Sequence, residues 1–326
     1  MYLENKKVFL AGSTGLVGTS ILQELLRHFP TVTIRAAYHA HTKPFIKNER
    51  IEYVAADLRS LEEAGRACAG CDCAIMAAAF TAGARMFAQE PWKLVNDNVI
   101  MNVQMLEAFR KEKVKRVVYI SSATLYQEFD GFIREDQLDL NLEPFATQRG
   151  IGWVARFCEK ICTFMHHETG IETLVARAAN IYGPYANFDP QYSNFIPALI
   201  RKAVDRMDPF QVWGSPDVKR DVLYAEDFAR AITLMLDAKQ ITCDVFNIGS
   251  GSAVSVQEVV SCVLNAAGHV PSRILYDDSK PSTVKFRALD YSKAQDLLGW
   301  QPRISLSEGI RRTTQWWIEN KEWWNK

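Results

Sequence analysis

Short apolar runs alternate with amphipathic stretches along the first half of the chain. Lys7 to Ala11 is a compact apolar run, and Leu16 to Phe29 carries apolar positions at helical spacing. Val32 to Tyr38 and Ile51 to Ala55 read as further strands, Leu61 to Ala69 as a helix and Cys73 to Ala79 as a strand. Pro91 to Lys111 predicts a long helix, followed by the strand Val117 to Ile120, a helix from Arg149 to Glu168 and a strand from Glu172 to Arg177. Such alternation builds a parallel sheet with helices on both faces, so the expected class is α/β.

Beyond Asn180 the texture changes, because Pro184, Pro190, Pro197, Pro209 and Pro216 break the chain into shorter pieces. We expect one domain over residues 1–179, with segments near 220–250 returning to its sheet, and a smaller lobe over 180–326. Phe246-Asn247-Ile248-Gly249 reads as such a return. The tail carries Trp316, Trp317, Trp323 and Trp324, which suits a terminal helix docked on the body or on a second subunit.

At 326 residues the chain is long enough for one large domain or a domain with a lobe. Its 38 basic and 38 acidic side chains cancel, so no nucleic acid or membrane surface is expected as a partner. No apolar run approaches the roughly eighteen residues of a membrane span. The first strand starts too early for a signal peptide, and the expected location is the cytoplasm. Cys68, Cys71 and Cys73 invite a metal reading, but no second ligand cluster follows. Small core residues are the plainer assignment, as for Cys158 and Cys162, and no metal is expected.

Chemistry enters at Gly12-Ser13-Thr14-Gly15-Leu16-Val17-Gly18, where the first strand turns into the first helix. Glycines there permit a tight turn and close approach of backbone to a pyrophosphate. The helix N-terminus offers its free N–H groups to the same anion. Gly12, Thr14, Gly15, Leu16, Val17 and Gly18 therefore predict a dinucleotide site. After the second strand the chain reads Arg35 to Lys43 without Asp or Glu. Arg35 and His39 would suit the extra phosphate of NADP, which we prefer to NAD; solvated loop residues are the alternative.

Further on stand Ser121-Ser122-Ala123-Thr124-Leu125-Tyr126, Asn180 to Pro184, Asn187-Phe188, Pro197 to Lys202, Val212-Trp213-Gly214, Arg220 to Tyr224, Asp227, Asn247 to Gly251, Ser279 to Pro281 and Leu298 to Trp300. With the glycine turn, these resemble the extended short-chain dehydrogenases that modify nucleotide-activated sugars, across nearly the full length. The pattern is most similar to the GDP-fucose synthases, which epimerise and then reduce a GDP-4-keto-6-deoxy sugar.

The resemblance implies a Rossmann-type doubly wound parallel sheet with a smaller C-terminal substrate-binding lobe. It implies that Asp57 and Leu58 lie near adenine, and that Ala77, Ala78, Ala79 and Asn98 border the cofactor. Asn180, Asn187, Trp213, Arg220 and Lys280 would line a nucleoside-diphosphate sugar, with GDP as the expected nucleotide. A planar guanidinium suits phosphate at Arg220, against the plainer reading of an ion pair with Asp221 or Asp227. Lys280, beside Asp277 and Asp278, is as easily solvated. The resemblance further implies a homodimer paired through the helices at Pro91–Lys111 and Arg149–Glu168.

Two departures cut against ordinary chemistry. The family's Tyr, general acid, and the Lys four residues later are replaced by Ile151 and Ala155, and no tyrosine lies between Tyr126 and Tyr182 to restore the pair in another register. Ser122, the substrate-orienting serine, is retained. Thr124 and Asn194 occupy the positions of the epimerising Cys and His, and neither is a good proton shuttle near neutral pH. Tyr126, Tyr185, Tyr192, Arg149, His166 and His167 are the remaining candidates. Three readings follow: an enzyme with rearranged catalytic residues, a non-catalytic homologue that binds both ligands and regulates or pairs with an active one, and a chain whose site residues were replaced on purpose.

Overall fold

The computed structural model describes residues 1–81, 90–277, 279 and 285–324, with Pro91, Trp323 and Trp324 described by backbone alone. The first half comprises β1 (Lys7–Ala11), α1 (Leu16–His28), β2 (Thr33–Tyr38), β3 (Ile51–Ala55), α2 (Leu61–Cys68), β4 (Cys73–Met76), α3 (Pro91–Lys111) and β5 (Arg116–Ser122). There follow β6 (Phe132–Ile133), α4 (Arg149–Thr169), β7 (Glu172–Ala178), β8 (Asn180–Tyr182), α5 (Phe195–Val204), β9 (Phe210–Trp213), β10 (Lys219–Arg220) and β11 (Val222–Tyr224). The remainder is α6 (Ala225–Asp237), β12 (Cys243–Ile248), β13 (Val254–Ser255), α7 (Val256–Ala267), β14 (Ile274–Asp277), β15 (Phe286–Leu289), α8 (Ser292–Leu298) and α9 (Leu306–Trp324).

A seven-stranded parallel sheet runs β12-β7-β5-β4-β1-β2-β3. Strand order reverses between β1 and β4, so a crevice opens beyond the carboxyl end of β1, where such sheets bind ligands. One face is covered by α1 and α6 over a core that includes Val8, Leu10, Ile21, Leu25, Phe228 and Ile232. The other carries α2, α3 and α4 over Phe9, Met76, Phe109, Val117 and Cys158. The doubly wound sheet is as expected.

Boundaries differ where tertiary contacts intervene. The run Cys73 to Ala79 stops being strand at Met76, because the alanines that follow leave the sheet to pass the glycine turn. The return segment is longer than Phe246 to Ile248: all of Cys243–Ile248 pairs with β7. Strands β13-β10-β15-β6 form a separate small sheet, and β14 pairs with β9. A third core gathers α5, α7 and α9, with Phe188 stacked on Trp317 at 4.2 Å, so the aromatic tail docks on the chain's own body. Cys68, Cys71 and Cys73 are buried, and burial pushes the Cys68 and Cys73 thiols up to about 12. Among the described residues, no helix is long and apolar enough to cross a membrane.

Candidate functional site

Backbone makes the first half of the site. Gly12 sits at φ +77°, and a Cβ there would lie 2.7 Å from the Ala78 Cα. A Cβ on Gly18 would run into the Gly12 carbonyl oxygen. Both positions thus exclude any side chain, as close turn-to-helix packing requires. Gly15 is different: it meets nothing nearer than 3.8 Å and caps α1 with no side chain of its own. The first N–H groups of α1 consequently lack a side-chain cap, and its first turn holds no acidic residue. Ser13 fixes the turn to β2 through its N–H and hydroxyl, both donated to the Ala37 carbonyl at 3.0 Å. Thr14 meets Thr42 at 2.9 Å. This cradle fits a pyrophosphate.

Beyond the glycine turn, Asp57 follows β3 and takes Arg59 Nε at 3.0 Å and Nη2 at 2.8 Å. Those bonds hold the Asp57 carboxyl down to about 2. Arg59 also donates to Asp97 at 3.2 Å, and sequence reasoning missed it. Leu58 is buried, while His39 is exposed with its ring 5.0 Å from His41.

Two residues expected at the cofactor are committed elsewhere. Arg35 pairs in register with Phe9, two residues before the end of β1, and donates to Glu52 at 3.0 Å and the Ala69 carbonyl at 2.6 Å. Its guanidinium points away from the turn because Glu52 offers a charge nearby. Asn98 is buried, donates to the Phe80 and Leu94 carbonyls and accepts the Phe80 N–H. Its amide is spent holding the loop that carries Ala77, Ala78 and Ala79.

The second half of the site is built on side chains. Ser122 ends β5, and its Oγ accepts the Thr124 N–H at 3.2 Å and the Thr124 hydroxyl at 3.1 Å. Gly152 in α4 presses on this turn: a Cβ there would come 2.7 Å from the backbone carbonyl oxygen of Thr124. Helix α4 therefore brings residues 151 and 155 to the serine turn, as the missing pair would need. What it presents is a half-buried Ile151 and an Ala155 packed with Ala123, Leu125, Tyr126 and Leu289.

Beneath this surface a buried polar network remains. Glu159, one helical turn beyond Ala155, accepts from Ser121 at 2.6 Å and from Arg177 Nη2 at 2.8 Å. Arg177 donates to the Tyr126 hydroxyl at 2.7 Å, which donates onward to Asn247 Oδ1 at 2.7 Å. The network ties β5, α4, β7 and β12 together. Arg156, also missed, donates to the Leu125 and Leu142 carbonyls at 2.8 and 2.6 Å, clamping the serine turn to α4.

Those contacts remove most substitute acids. Burial, with the Arg177 bond opposing it, pushes Tyr126 up to about 12. Tyr185 accepts from Gln23 and lies against Trp316. His166 sits near the carboxyl end of α4, on the order of 20 Å of helix from Ile151, with His167 beside it. Arg149 is exposed and pairs with Glu143 at 3.5 Å. Tyr192 packs on Leu94 and Phe80, close to the alanine loop.

In the lobe, Arg220 and Arg287 stand opposite each other on β10 and β15. Arg287 was not anticipated, since nothing before residue 285 announces a strand. Its Nη1 donates to Gln148 Oε1 at 2.7 Å, and its buried Nη2 has no hydrogen-bond partner among the described residues. Burial, and then Arg220, push Arg287 down to about 10; burial alone does the same to Arg220. Gln148 caps α4, so the arginine pair adjoins the helix end that bears Ile151. The ion pair of Arg220 with Asp221 is not formed: Asp221 accepts from Ser250 and Leu289, and Asp227 from Arg230. Trp213 ends β9, 45% exposed. Asn180 donates to the Asp221 carbonyl, Asn187 accepts from the Asp189 N–H, and Asn194 caps α5 on the surface. Lys280 lies outside the described residues.

Comparison with known proteins matches this geometry to a family. The model of the NAD dependent epimerase/dehydratase family matches residues 8–249. Probable GDP-L-fucose synthase 1 of Oryza sativa subsp. japonica is 28% identical over 322 residues, covering 96% of this chain and 92% of the relative. GDP-L-fucose synthase of Escherichia coli strain K12 is 25% identical, covering 98% and 99%. UDP-glucose 4-epimerase of Thermotoga maritima, solved with UDP-glucose, shares the fold with a TM-score of 0.84 at 21% identity, covering 97% of this chain and 99% of that one. With its sheet, its glycine turn and three quarters of its length accounted for, the chain belongs to the NAD dependent epimerase/dehydratase family.

Proposed function

We propose that the chain is an NAD(P)-dependent nucleotide-sugar-modifying enzyme with atypical catalytic residues, acting on a GDP-linked keto-deoxy sugar. The observation that carries this is the arginine pair. Two guanidinium groups, side by side and one with a buried unpartnered nitrogen, are poor lobe-packing residues and a good seat for a diphosphate. Gly12, Gly15 and Gly18 would hold the dinucleotide, which supplies or accepts a hydride when bound. Ser122 would orient the sugar oxygen, and Trp213, Asn180 and Asn187 would border the nucleotide sugar. The base leans on the relatives, whose names specify GDP-L-fucose.

We assign NADP before NAD, because His39, His41 and Arg59 gather at the adenosine end and residues 35–43 carry no acid. We also propose a homodimer. Trp92, Ile100, Val103, Trp153, Phe157 and Phe164 are exposed on α3 and α4, and an apolar groove of about 600 Å³ runs between those helices. Burying so large a face against its own copy is the economical solution. The cysteines, all free, support a reducing compartment such as the cytoplasm.

A second reading is favoured by Ile151 and Ala155: a homologue that binds both ligands without turnover and pairs with an active relative. Calorimetric titration with NADP⁺, NAD⁺, GDP and UDP tests ligand binding. Incubation in heavy water with NADPH and a GDP-4-keto-6-deoxy sugar, read by mass spectrometry, then separates the two readings. Hydride addition or deuterium at carbon supports the enzyme. Binding with neither signal favours the non-catalytic homologue.

A further inference from the structure

The serine turn has a direction built into it. Ser122 leaves β5 in extended conformation and caps the short turn that follows, which is why its Oγ receives the Thr124 N–H. The same oxygen receives the Thr124 hydroxyl proton. A serine oxygen has two acceptor lone pairs and one O–H. Residue 124 engages both lone pairs, so what Ser122 has left for a ligand is donation of its own proton.

The surroundings hold that arrangement in place. Ser122 and Thr124 are half-buried, while Ser121, Ala123 and Leu125 around them are buried. Arg156 pins the Leu125 carbonyl, and Gly152 abuts the backbone carbonyl oxygen of Thr124. The hydroxyl pair therefore lies on a turn packed against α4, whose Ala155 clusters with Ala123 and Leu125.

We propose that Thr124 is a positioning residue for a reduction-only site, passing a proton through Ser122 Oγ to a sugar carbonyl oxygen. This rests on the nucleotide-sugar reading above. The step balances as follows. A hydride supplied by the dinucleotide, when bound, would reach the carbonyl carbon as the C=O π bond opens toward oxygen. That oxygen takes the Ser122 proton, Ser122 takes the Thr124 hydroxyl proton, and solvent reprotonates Thr124, so that one bulk proton is consumed per ketone reduced. The ketone gains a hydride and a proton, two electrons and two protons in all, and becomes an alcohol, and the dinucleotide is oxidised. A hydroxyl and the alkoxide it neutralises are of one chemical kind, so the transfer is nearly balanced. Neither hydroxyl can serve as a base toward a carbon-bound proton near neutral pH, since an effective base titrates near the working pH. The site thus favours ketone reduction and lacks, at this turn, the base for epimerisation beside the carbonyl.

The test uses the full chain with NADPH and a GDP-4-keto-6-deoxy sugar in heavy water, comparing Thr124→Val, Thr124→Ser and Ser122→Ala. Thr124→Val should lower kcat by about 10- to 100-fold while KM stays near its starting value, and Thr124→Ser should restore most of the rate. Hydride should be added, with no deuterium at carbon. A readout without turnover is the infrared carbonyl stretch of the isotope-labelled sugar bound with NADP⁺. Donation from Ser122 should lower that frequency, Thr124→Val should reduce the shift, and Ser122→Ala should abolish it. Wild-type rate and frequency in Thr124→Val would make Thr124 a mere turn residue and overturn the proposal. So would deuterium at carbon, or binding of both ligands with no carbonyl shift. Failure to bind the sugar at all instead overturns the nucleotide-sugar reading, and this proposal with it.

Discussion

The glycine turn and the serine turn lie at the ends of adjacent parts of one sheet, yet they answer to different constraints. The glycine turn works through backbone N–H groups and absent side chains, and every position that must be empty is empty. The serine turn is built of side chains, and it sits against apolar Ala155, with the buried network of Ser121, Glu159 and Arg177 beneath. A backbone site cannot change without changing the fold around it. A side-chain site can be rewritten in place, because Ile151 and Ala155 suit a helix as well as Tyr and Lys do.

The contrast can be broken in four ways. Gly18→Val should abolish dinucleotide binding, since its Cβ meets the Gly12 carbonyl; calorimetry with NADP⁺ checks this, with circular dichroism to separate loss of fold. If binding survives, the turn is not the cradle. Ile151→Tyr with Ala155→Lys, built on the retained scaffold, should raise keto-sugar reduction by about 10²–10⁴, at some stability cost from overpacking the Ala155 cluster. No gain would mean that more than the acid pair has been lost.

Arg287→Met should weaken GDP binding by up to about a hundredfold and raise the melting temperature, because a half-satisfied cation beside a like charge is removed. Lower stability with unchanged affinity would make the pair structural. The smallest effect concerns Asp221, buried among three donated hydrogen bonds and pushed by burial from 3.8 up to about 6. A raised acid favours the protonated fold: its contribution is full below about 3.8 and lost as pH rises through about 6. The stability difference between wild type and Asp221→Asn in urea should therefore be about 2 kcal/mol more favourable to wild type at pH 4.5 than at 7.5. A pH-independent difference would remove Asp221 from the account.

The strands at Lys7, Ile51 and Glu172 and the helices at Leu16, Pro91 and Arg149 were legible because each is long or apolar enough for local pattern to fix its type. Gly12 and Gly18 were legible too, since sterics ties glycine to a tight strand-to-helix turn. Arg35 was misread, because a charge near a site in sequence says nothing about the Glu52 that claims it across two strands. The partners of the Asn98 amide, Phe80 and Leu94, were not legible for the same reason, since they are a matter of packing. Arg59, Arg156 and Arg287 carried no local mark.

By itself the sequence determined the parallel sheet, the glycine-bearing turn from first strand to first helix and the absence of any tyrosine between Tyr126 and Tyr182, all matters of residue type and spacing along one segment. Only the tertiary structure decided that Arg287 faces Arg220, that Tyr126 is buried in an ion network, and that Thr124 donates both its N–H and its hydroxyl to Ser122 Oγ. Those depend on where strands far apart in the chain are brought side by side, and hydrogen-bond direction exists only once donor and acceptor have met.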